Sequence, residues 1–401
     1  MSINKIKIPW WKPQIGEEEK KLINKVLDNH FPNEGEFTAS FEGKLSKLLG
    51  CKNAIAVNNG TSAMFLSLKA LGIGYGDEVI VPDMTFISTA NAVEMTGAKP
   101  VLADVNPKTL NMDPNQFAQG ITKKTKAVIP VHVSGRAAEI EKIMKIALEK
   151  NIHVVEDAAE AFTSKHRGKC LGTYGIAGCL SFSAAKTITT GQGGAIMTDD
   201  DDIALRLREL KDQGRPTRGT GGDDIHNSIG YNFKFTDLQA AVGLGQLTYL
   251  EKRIDRQKRN YKLYAEKLKN LNGISLFHFD TEGGEVPQWT DAMVEDRDNL
   301  DRHLQSKGID CRRFWFPVHT QKPYKQPDDK FPNSTMIAPK SIWLPSAFTL
   351  SDSDIETVCS EIKNFICRKS QRRTPFALAQ GKQAISEHAQ NTPRTKVRGR
   401  F

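Results

Sequence analysis

Along the first half of the chain, short apolar runs alternate with longer stretches whose apolar residues repeat at helical spacing. Ala54–Val57, Glu78–Val81, Val101–Val105, Ala127–Val133 and His153–Glu156 read as strands, because β-branched and apolar residues run together there between turn-forming residues. The intervening stretches, Ala63–Leu71, Ser88–Thr96, Pro114–Ile121 and Ala138–Lys150, read as helices, the last with Ile140, Ile143, Met144 and Ala147 on one face. Two amphipathic helices, Glu17–Leu27 and Phe37–Leu49, precede them as a lead. Two further strands, Cys179–Ser183 and Ala195–Thr198, flank a turn rich in glycine from Gly191 to Gly194. Strands that alternate with helices predict an α/β fold: a mainly parallel sheet between helices, with ligands at the carboxyl ends of the strands.

The pattern then changes. Asp199–Lys211 reads as a helix, a glycine-rich loop runs from Gly214 to Gly222, and a long helix from Leu238 to about Lys269 follows, with Thr236 or Asp237 as its cap. Later residues mix a helix (Arg297–Lys307) with short strands (Cys311–Phe316 and Ile342–Leu344), the pattern of a smaller α+β domain. The expected organisation is a large domain over 1–250 with its helical lead, a small C-terminal domain over 251–367, and a basic tail over 368–401.

Composition narrows the class. At 401 residues, with 39% hydrophobic and 26% charged side chains, the chain has the make-up of a globular protein. No apolar run approaches the roughly 20 residues of a membrane span, and Met1–Lys5 does not open a hydrophobic leader. A cytoplasmic protein without a membrane partner is expected. The six cysteines are scattered, without a C-x-x-C pair, so reduced structural thiols and no metal site are expected. The net charge of +9 is concentrated: residues 368–401 hold nine basic side chains against Glu387, eight of the nine net charges. A tail of that composition, poor in large apolar residues, reads as solvated and disordered, and nucleic acid as a weaker alternative partner.

Lys186 stands between the strand that starts at Cys179 and the glycine turn, where a confined amine serves as a nucleophile toward an aldehyde such as that of pyridoxal 5'-phosphate. That cofactor requires a lysine, a carboxylate for its ring nitrogen, a phosphate cradle and a surface for its ring. Asp157 supplies the carboxylate in this reading. Gly60 and Thr61, entering a helix, and Ser181 supply the cradle, and Phe86 the surface. Each has a structural alternative: a solvated lysine, an N-cap aspartate or Thr61 cap, a core aromatic at Phe86, a strand hydroxyl at Ser181.

Asn59-Gly60-Thr61, Asp77-Glu78-Val79-Ile80-Val81-Pro82 with Thr85-Phe86, Glu156-Asp157-Ala158-Ala159-Glu160-Ala161, Ser181-Phe182 to Lys186 with Thr190-Gly191-Gln192-Gly193-Gly194, and Gly230-Tyr231-Asn232 to Asp237 together resemble the DegT/DnrJ/EryC1/StrS family of sugar aminotransferases over residues 7–367. The resemblance implies a fold-type I aminotransferase dependent on pyridoxal 5'-phosphate, acting as a homodimer with shared active sites. It implies L-glutamate as amino donor and a nucleotide-linked 4-keto-6-deoxyhexose as acceptor. It places Asn232 at the phosphate of the neighbouring subunit's cofactor, Glu160 near the pyridoxal 3-hydroxyl, and His226 and His319 in the sugar-nucleotide pocket. For both histidines the residues leave an alternative open, an exposed loop position for His226 and a packed structural one for His319. Two positions depart from the family pattern: Gln192 stands where glutamate is common, and Val133-Ser134 where a bulkier residue precedes the glycine. A dehydratase of the same fold is disfavoured, since the branch it resembles has histidine in the place of Lys186. Amination of a different ketosugar, at C3 or on a UDP or dTDP carrier, remains, as does a cofactor-binding regulator with a polyanion-binding tail.

Overall fold

The computed structural model describes residues 6–216 and 224–368. The tail from residue 369 and residues 217–223 of the glycine-rich loop lie outside the described residues. Among the described residues nine strands precede residue 200: β1 (Asn53–Val57), β2 (Glu78–Pro82), β3 (Lys99–Ala103), β4 (Thr125–Val128), β5 (His153–Asp157), the small hairpin β6 (Lys165–His166) and β7 (Lys169–Cys170), β8 (Ala177–Ser181) and β9 (Gly194–Thr198). Seven of them make one sheet in the order β1-β9-β8-β5-β4-β2-β3. From β8 to β3 every neighbouring pair is parallel, and β9 runs antiparallel to both β1 and β8. The mainly parallel α/β sheet expected from the alternating periods is therefore present. Parallel strands need a crossover, which helices supply from β2 to β5 and the loop bearing the β6-β7 hairpin supplies from β5 to β8. Between β8 and β9 the chain turns back without a helix, Phe182 N–H donating to the Gly193 carbonyl at 2.8 Å, and this bend carries Lys186.

Helices cover both faces, and the strands are buried almost throughout, which is why their sequences are continuous apolar runs rather than alternating ones. Strand ends differ from the sequence expectation. β8 spans Ala177–Ser181 and stops where the bend begins, two residues before Ser183. β4 stops at Val128, and Val133–Gly135 form a short 3-10 turn in which Ser134 has φ 55°. The long helix expected from Leu238 is two helices, Asp237–Leu247 and Leu250–Lys267, with the Thr248 hydroxyl donating back to the Gly245 carbonyl at the break. The two cap candidates divide the work. Thr236 caps its own helix in a reciprocal pair with Gln239, whereas Asp237 accepts from the amides of Gly35 and Thr38 and so caps the helix Glu36–Leu49 across the fold.

The C-terminal part is built on a second, antiparallel sheet: β10 (Ile274–Leu276), β11 (Thr290–Val294), β12 (Arg312–Arg313) and β13 (Ser341–Leu344), ordered β10-β11-β13-β12. The helix Arg297–Ser306 and a helix over 352–368 bury Leu300, Leu304, Ile355, Val358 and Ile362 in the core shared with this sheet. Trp10 of the lead, Trp289 and Trp343 of the second sheet region, and Met84, Val131 and Val133 beside the main sheet share one apolar cluster. That cluster joins the two sheets next to the carboxyl ends of the parallel strands. The six cysteines are free, and among the described residues no helix is long and apolar enough to cross a membrane.

Candidate active site

Asp157 is the last residue of β5, and its carboxylate is buried and held from two sides. The Thr89 hydroxyl donates to Oδ2 at 2.9 Å and the Ala159 amide to Oδ1 at 3.1 Å, while Thr85 and Thr89 share a hydroxyl contact of 2.9 Å. Burial pushes this carboxyl above the usual aspartate value; the two hydrogen bonds and the nearby Lys186 ammonium oppose that rise. The helix N-cap alternative for Asp157 thus does not describe it: its oxygens are spent orienting a charge at a strand end.

Lys186 lies in the bend after β8, its amide donating to the Ser183 carbonyl. Its side chain is only 13% exposed, with Nζ 3.5 Å from Glu160 Oε1 and 4.9 Å from the centroid of the Trp289 ring. A solvated surface lysine is ruled out by that burial. Glu160 is itself buried in the turn after β5, and burial raises its carboxyl to about 7; Lys186 and the Ser134 amide lower it, Asp157 and Asp291 raise it further.

Ser134, one of the two departures from the family pattern, supports this pair. Its amide donates to Glu160 Oε2 at 2.9 Å and its hydroxyl to Asp291 Oδ1 at 2.8 Å, while Trp343 Nε1 donates to that hydroxyl at 3.3 Å. Asp291 in turn accepts from Arg136 Nη2 at 2.8 Å. The next residue must be glycine: a Cβ on Gly135 would stand 2.0 Å from the Val286 carbonyl oxygen, and its φ is +96°. The second sheet therefore reaches the Lys186–Glu160 pair through one buried hydroxyl.

The remaining residues line the same cavity of about 280 Å³. Gly60 opens the helix Gly60–Ala70, whose N-cap is Asn59 accepting from the Ser62 amide at 2.8 Å. The cap is thus Asn59 rather than Thr61, and Gly60 and Thr61 are left in the first turn, whose amides have no acceptor within the helix. A Cβ on Gly60 would come 3.1 Å from Ser181 Cβ, so glycine lets this helix end approach the end of β8. Phe86 is 52% exposed and lines the cavity, which is not the environment of a core aromatic. Lys186, Asp157, Glu160, Gly60, Thr61, Ser181 and Phe86 are thus brought together.

The other three sequence candidates lie elsewhere. Asn232 is exposed, its backbone bridged to Asp212. His226 is an exposed loop residue, Nδ1 2.8 Å from the Gln213 carbonyl oxygen. His319 is fully buried, with Nδ1 2.6 Å from Asp83 Oδ2, its amide donating to Asp83 Oδ1, and its ring stacked on Phe331. Neither histidine lines the cavity, and each occupies the structural position that the sequence had left open as an alternative. Sequence reasoning missed Thr89, Trp289, Arg312, Trp315 and Trp343. Thr89 had a local signal, its spacing of one helical turn from Thr85; the others come from the second sheet region, far away in sequence.

Glu160 gives a pH test on the ligand-free chain. Its folded value of about 7 lies above its ordinary 4.5, so the unfolded chain releases this proton first and stability falls as pH rises between those values. Glu160→Gln removes that slope. Relative to wild type the variant should gain up to about 3 kcal/mol between roughly pH 4.5 and pH 7, read as denaturation midpoints across that range. A difference that stays flat with pH would contradict the assignment.

A buried lysine beside a strand-end carboxylate, a helix N-terminus and an exposed aromatic face is the donor set for a carbonyl cofactor bearing a phosphate. Comparison with known proteins agrees. Residues 13–363 match the DegT/DnrJ/EryC1/StrS aminotransferase family. GDP-perosamine synthase of Escherichia coli O157:H7 is 36% identical over 367 residues, covering 90% of this chain and 99% of that protein. Among solved structures, DesI in the presence of its TDP-sugar product has a TM-score of 0.85 at 29% identity, covering 94% of this chain and 97% of that one. Spr1654 from Streptococcus pneumoniae in its pyridoxal phosphate (PLP) form has a TM-score of 0.85 at 25% identity, covering 90% of this chain and 99% of that one.

The chain belongs to the DegT/DnrJ/EryC1/StrS aminotransferase family. It is a PLP-dependent sugar aminotransferase of fold type I.

Proposed function

We propose that the enzyme moves an amino group from L-glutamate to the C4 ketone of a GDP-linked 4-keto-6-deoxyhexose, in two half-reactions at one site. The observation that carries the aminotransferase chemistry is the Lys186 amine, buried between Glu160 and the Trp289 face beside Asp157. The GDP-linked substrate is supported by the 36% identity to GDP-perosamine synthase over nearly the whole of both chains.

Bound PLP supplies the electron sink and carries the amino group from one substrate to the other. Lys186 would hold it through Nζ, and the same Nζ, when free, would take the proton from the donor Cα and return it as general acid. Glu160, 3.5 Å away, keeps Nζ in place. Asp157, oriented by Thr89 and Ala159, offers its negative charge to the ring nitrogen. The helix end at Gly60 and Thr61, with Ser181, receives the phosphate, and Phe86 covers the ring. Asn232, exposed and away from its own chain's cavity, serves the phosphate of a second copy in a homodimer with shared sites. In the same reading residues 1–250 are the cofactor-binding domain and 251–367 the small domain, and the alternation of substrates gives ping-pong kinetics.

The substrate is tested by loading the enzyme with glutamate, removing the excess, and adding GDP-, UDP- and dTDP-linked 4-keto-6-deoxyhexoses separately. The expected result is a 4-amino product, detected by mass, from the GDP sugar alone. Product only from a UDP or dTDP sugar, or at C3, would replace the substrate while keeping the reaction.

A further inference from the structure

Two cations and two anions line the cavity: Lys186 and Arg312, Asp157 and Glu160. Three of them answer to one another, since Lys186 pairs with Glu160 and its charge is felt by Asp157. Arg312 is left over. Its guanidinium carbon lies 5.0 Å from the ring centroid of Trp10 and 5.8 Å from that of Trp343, its strand partner in β13. The side chain of this exposed residue makes no hydrogen bond or ion pair among the described residues, its charge being felt electrostatically by Asp310. The adjacent Arg313 shows the contrast: it is anchored to Asp298 at 3.5 Å and Asp301 at 3.3 Å, on the far side of the strand pleat.

A guanidinium resting on indole faces is held by cation–π attraction and keeps its N–H edge free for a planar, two-pronged acceptor. Holding it beforehand lowers the ordering cost of a ligand that takes that edge. A cationic fork without an acceptor at one wall of a cavity calls for a ligand rich in oxygens. Aminotransfer brings two such ligands in turn, a dicarboxylic amino donor and a diphosphate-linked sugar.

We propose that Arg312 is the substrate-anion site of this cavity, its guanidinium binding the oxyanion that the substrates carry, either the donor's carboxylate or the sugar nucleotide's diphosphate. This rests on the aminotransferase reading above. It gives the second sheet a direct part in substrate recognition, because Arg312 enters the cavity from β12 while the lysine, the ring carboxylate and the phosphate cradle come from the main sheet.

The test uses the full chain loaded with PLP, as wild type, Arg312→Gln and Arg312→Lys. Calorimetry with glutarate, a dicarboxylate without an amine to donate, reads the carboxylate arm, and calorimetry with GDP reads the diphosphate arm. Arg312→Gln should weaken one arm or both by about 10- to 100-fold, the scale of a lost charge-assisted hydrogen bond, and Arg312→Lys should fall between, keeping charge without the fork. The arm that weakens identifies the oxyanion. PLP absorbance and melting temperature should match wild type, which a merely structural arginine would not allow. Unchanged binding in both arms would overturn the inference, as would a loss confined to PLP retention, which would assign the guanidinium to the cofactor. A wild type that binds neither ligand and transfers no amine would overturn the aminotransferase reading and this inference with it; a wild type that transfers amine while Arg312→Gln binds normally overturns the inference alone.

Discussion

Lys186→Ala should lower amine transfer by more than about 10,000-fold, because one amine performs both the covalent attachment and the proton transfer at Cα, and general acid–base catalysis alone contributes up to about that factor. The variant should still fold and still bind PLP. The Lys186 side chain contributes one ion pair to Glu160 and one contact with the Trp289 face, so its removal leaves the strands and the helix end at Gly60 as they are. It also relieves nothing at Glu160 except the one nearby positive charge, which leaves that carboxyl more readily protonated. The measurement is steady-state transfer from glutamate beside the amount of PLP retained after gel filtration. Turnover near the wild-type rate would remove Lys186 from the chemistry.

The second large effect belongs to Asp157. Asp157→Asn keeps the size of the side chain and an oxygen for the Thr89 hydroxyl or the Ala159 amide, but discards the charge. An electrostatic group aimed at a developing charge in a buried site is worth about 100- to 1,000-fold, and a loss of that size is expected in kcat, with KM for glutamate much less affected. Thr89→Val tests the same point one contact further out: the carboxylate stays but loses one of its two donors, so a smaller loss of the same kind follows. If Asp157→Asn changed only KM, its carboxylate would be a substrate contact instead.

How much of this was legible in the sequence follows from the range of the interactions concerned. The parallel sheet was legible because buried strands in such a sheet are continuous apolar runs, and β1 to β4 are each followed by a helix, the last with Ile140, Ile143 and Ala147 recurring on one face. The site residues on that sheet were legible because a strand end fixes where its next residues lie: Asp157 ends β5, Ser181 ends β8, and Lys186 follows in the bend. The second sheet was only half legible. β10 has three residues and β11 carries the charged Asp291 within it, so neither shows a clean period. Asp291 is tolerated there because Arg136, Ser134 and the second sheet's own Trp343 surround it, contacts 155 and 157 residues away for the first two. The break between the helices Asp237–Leu247 and Leu250–Lys267 carries no proline, and its nearest glycines, Gly243 and Gly245, lie inside the first helix rather than at its end. Arg312 was invisible as a site residue for the same reason as Asp291, since its indole neighbours Trp10 and Trp343 come from opposite ends of the chain.

His319 shows the opposite failure, a residue whose type suggests chemistry and whose position supplies structure. Its ring ties the segment after β12 to Asp83, just past β2, with its amide and Nδ1 both engaged by one carboxylate. Burial raises the Asp83 carboxyl, against the pull of the His319 amide and ring, so the pair couples the two parts of the fold without reaching the cavity.

The central claim, that Lys186 is the amine through which this chain holds its cofactor, is tested most directly by borohydride reduction of the PLP-loaded protein followed by peptide mass mapping. Reduction converts the lysine–cofactor linkage into a stable bond. The account predicts one added cofactor mass, on the peptide that contains Lys186, and its absence in Lys186→Ala. A cofactor mass on another lysine, or none on the reduced wild-type chain, would contradict it.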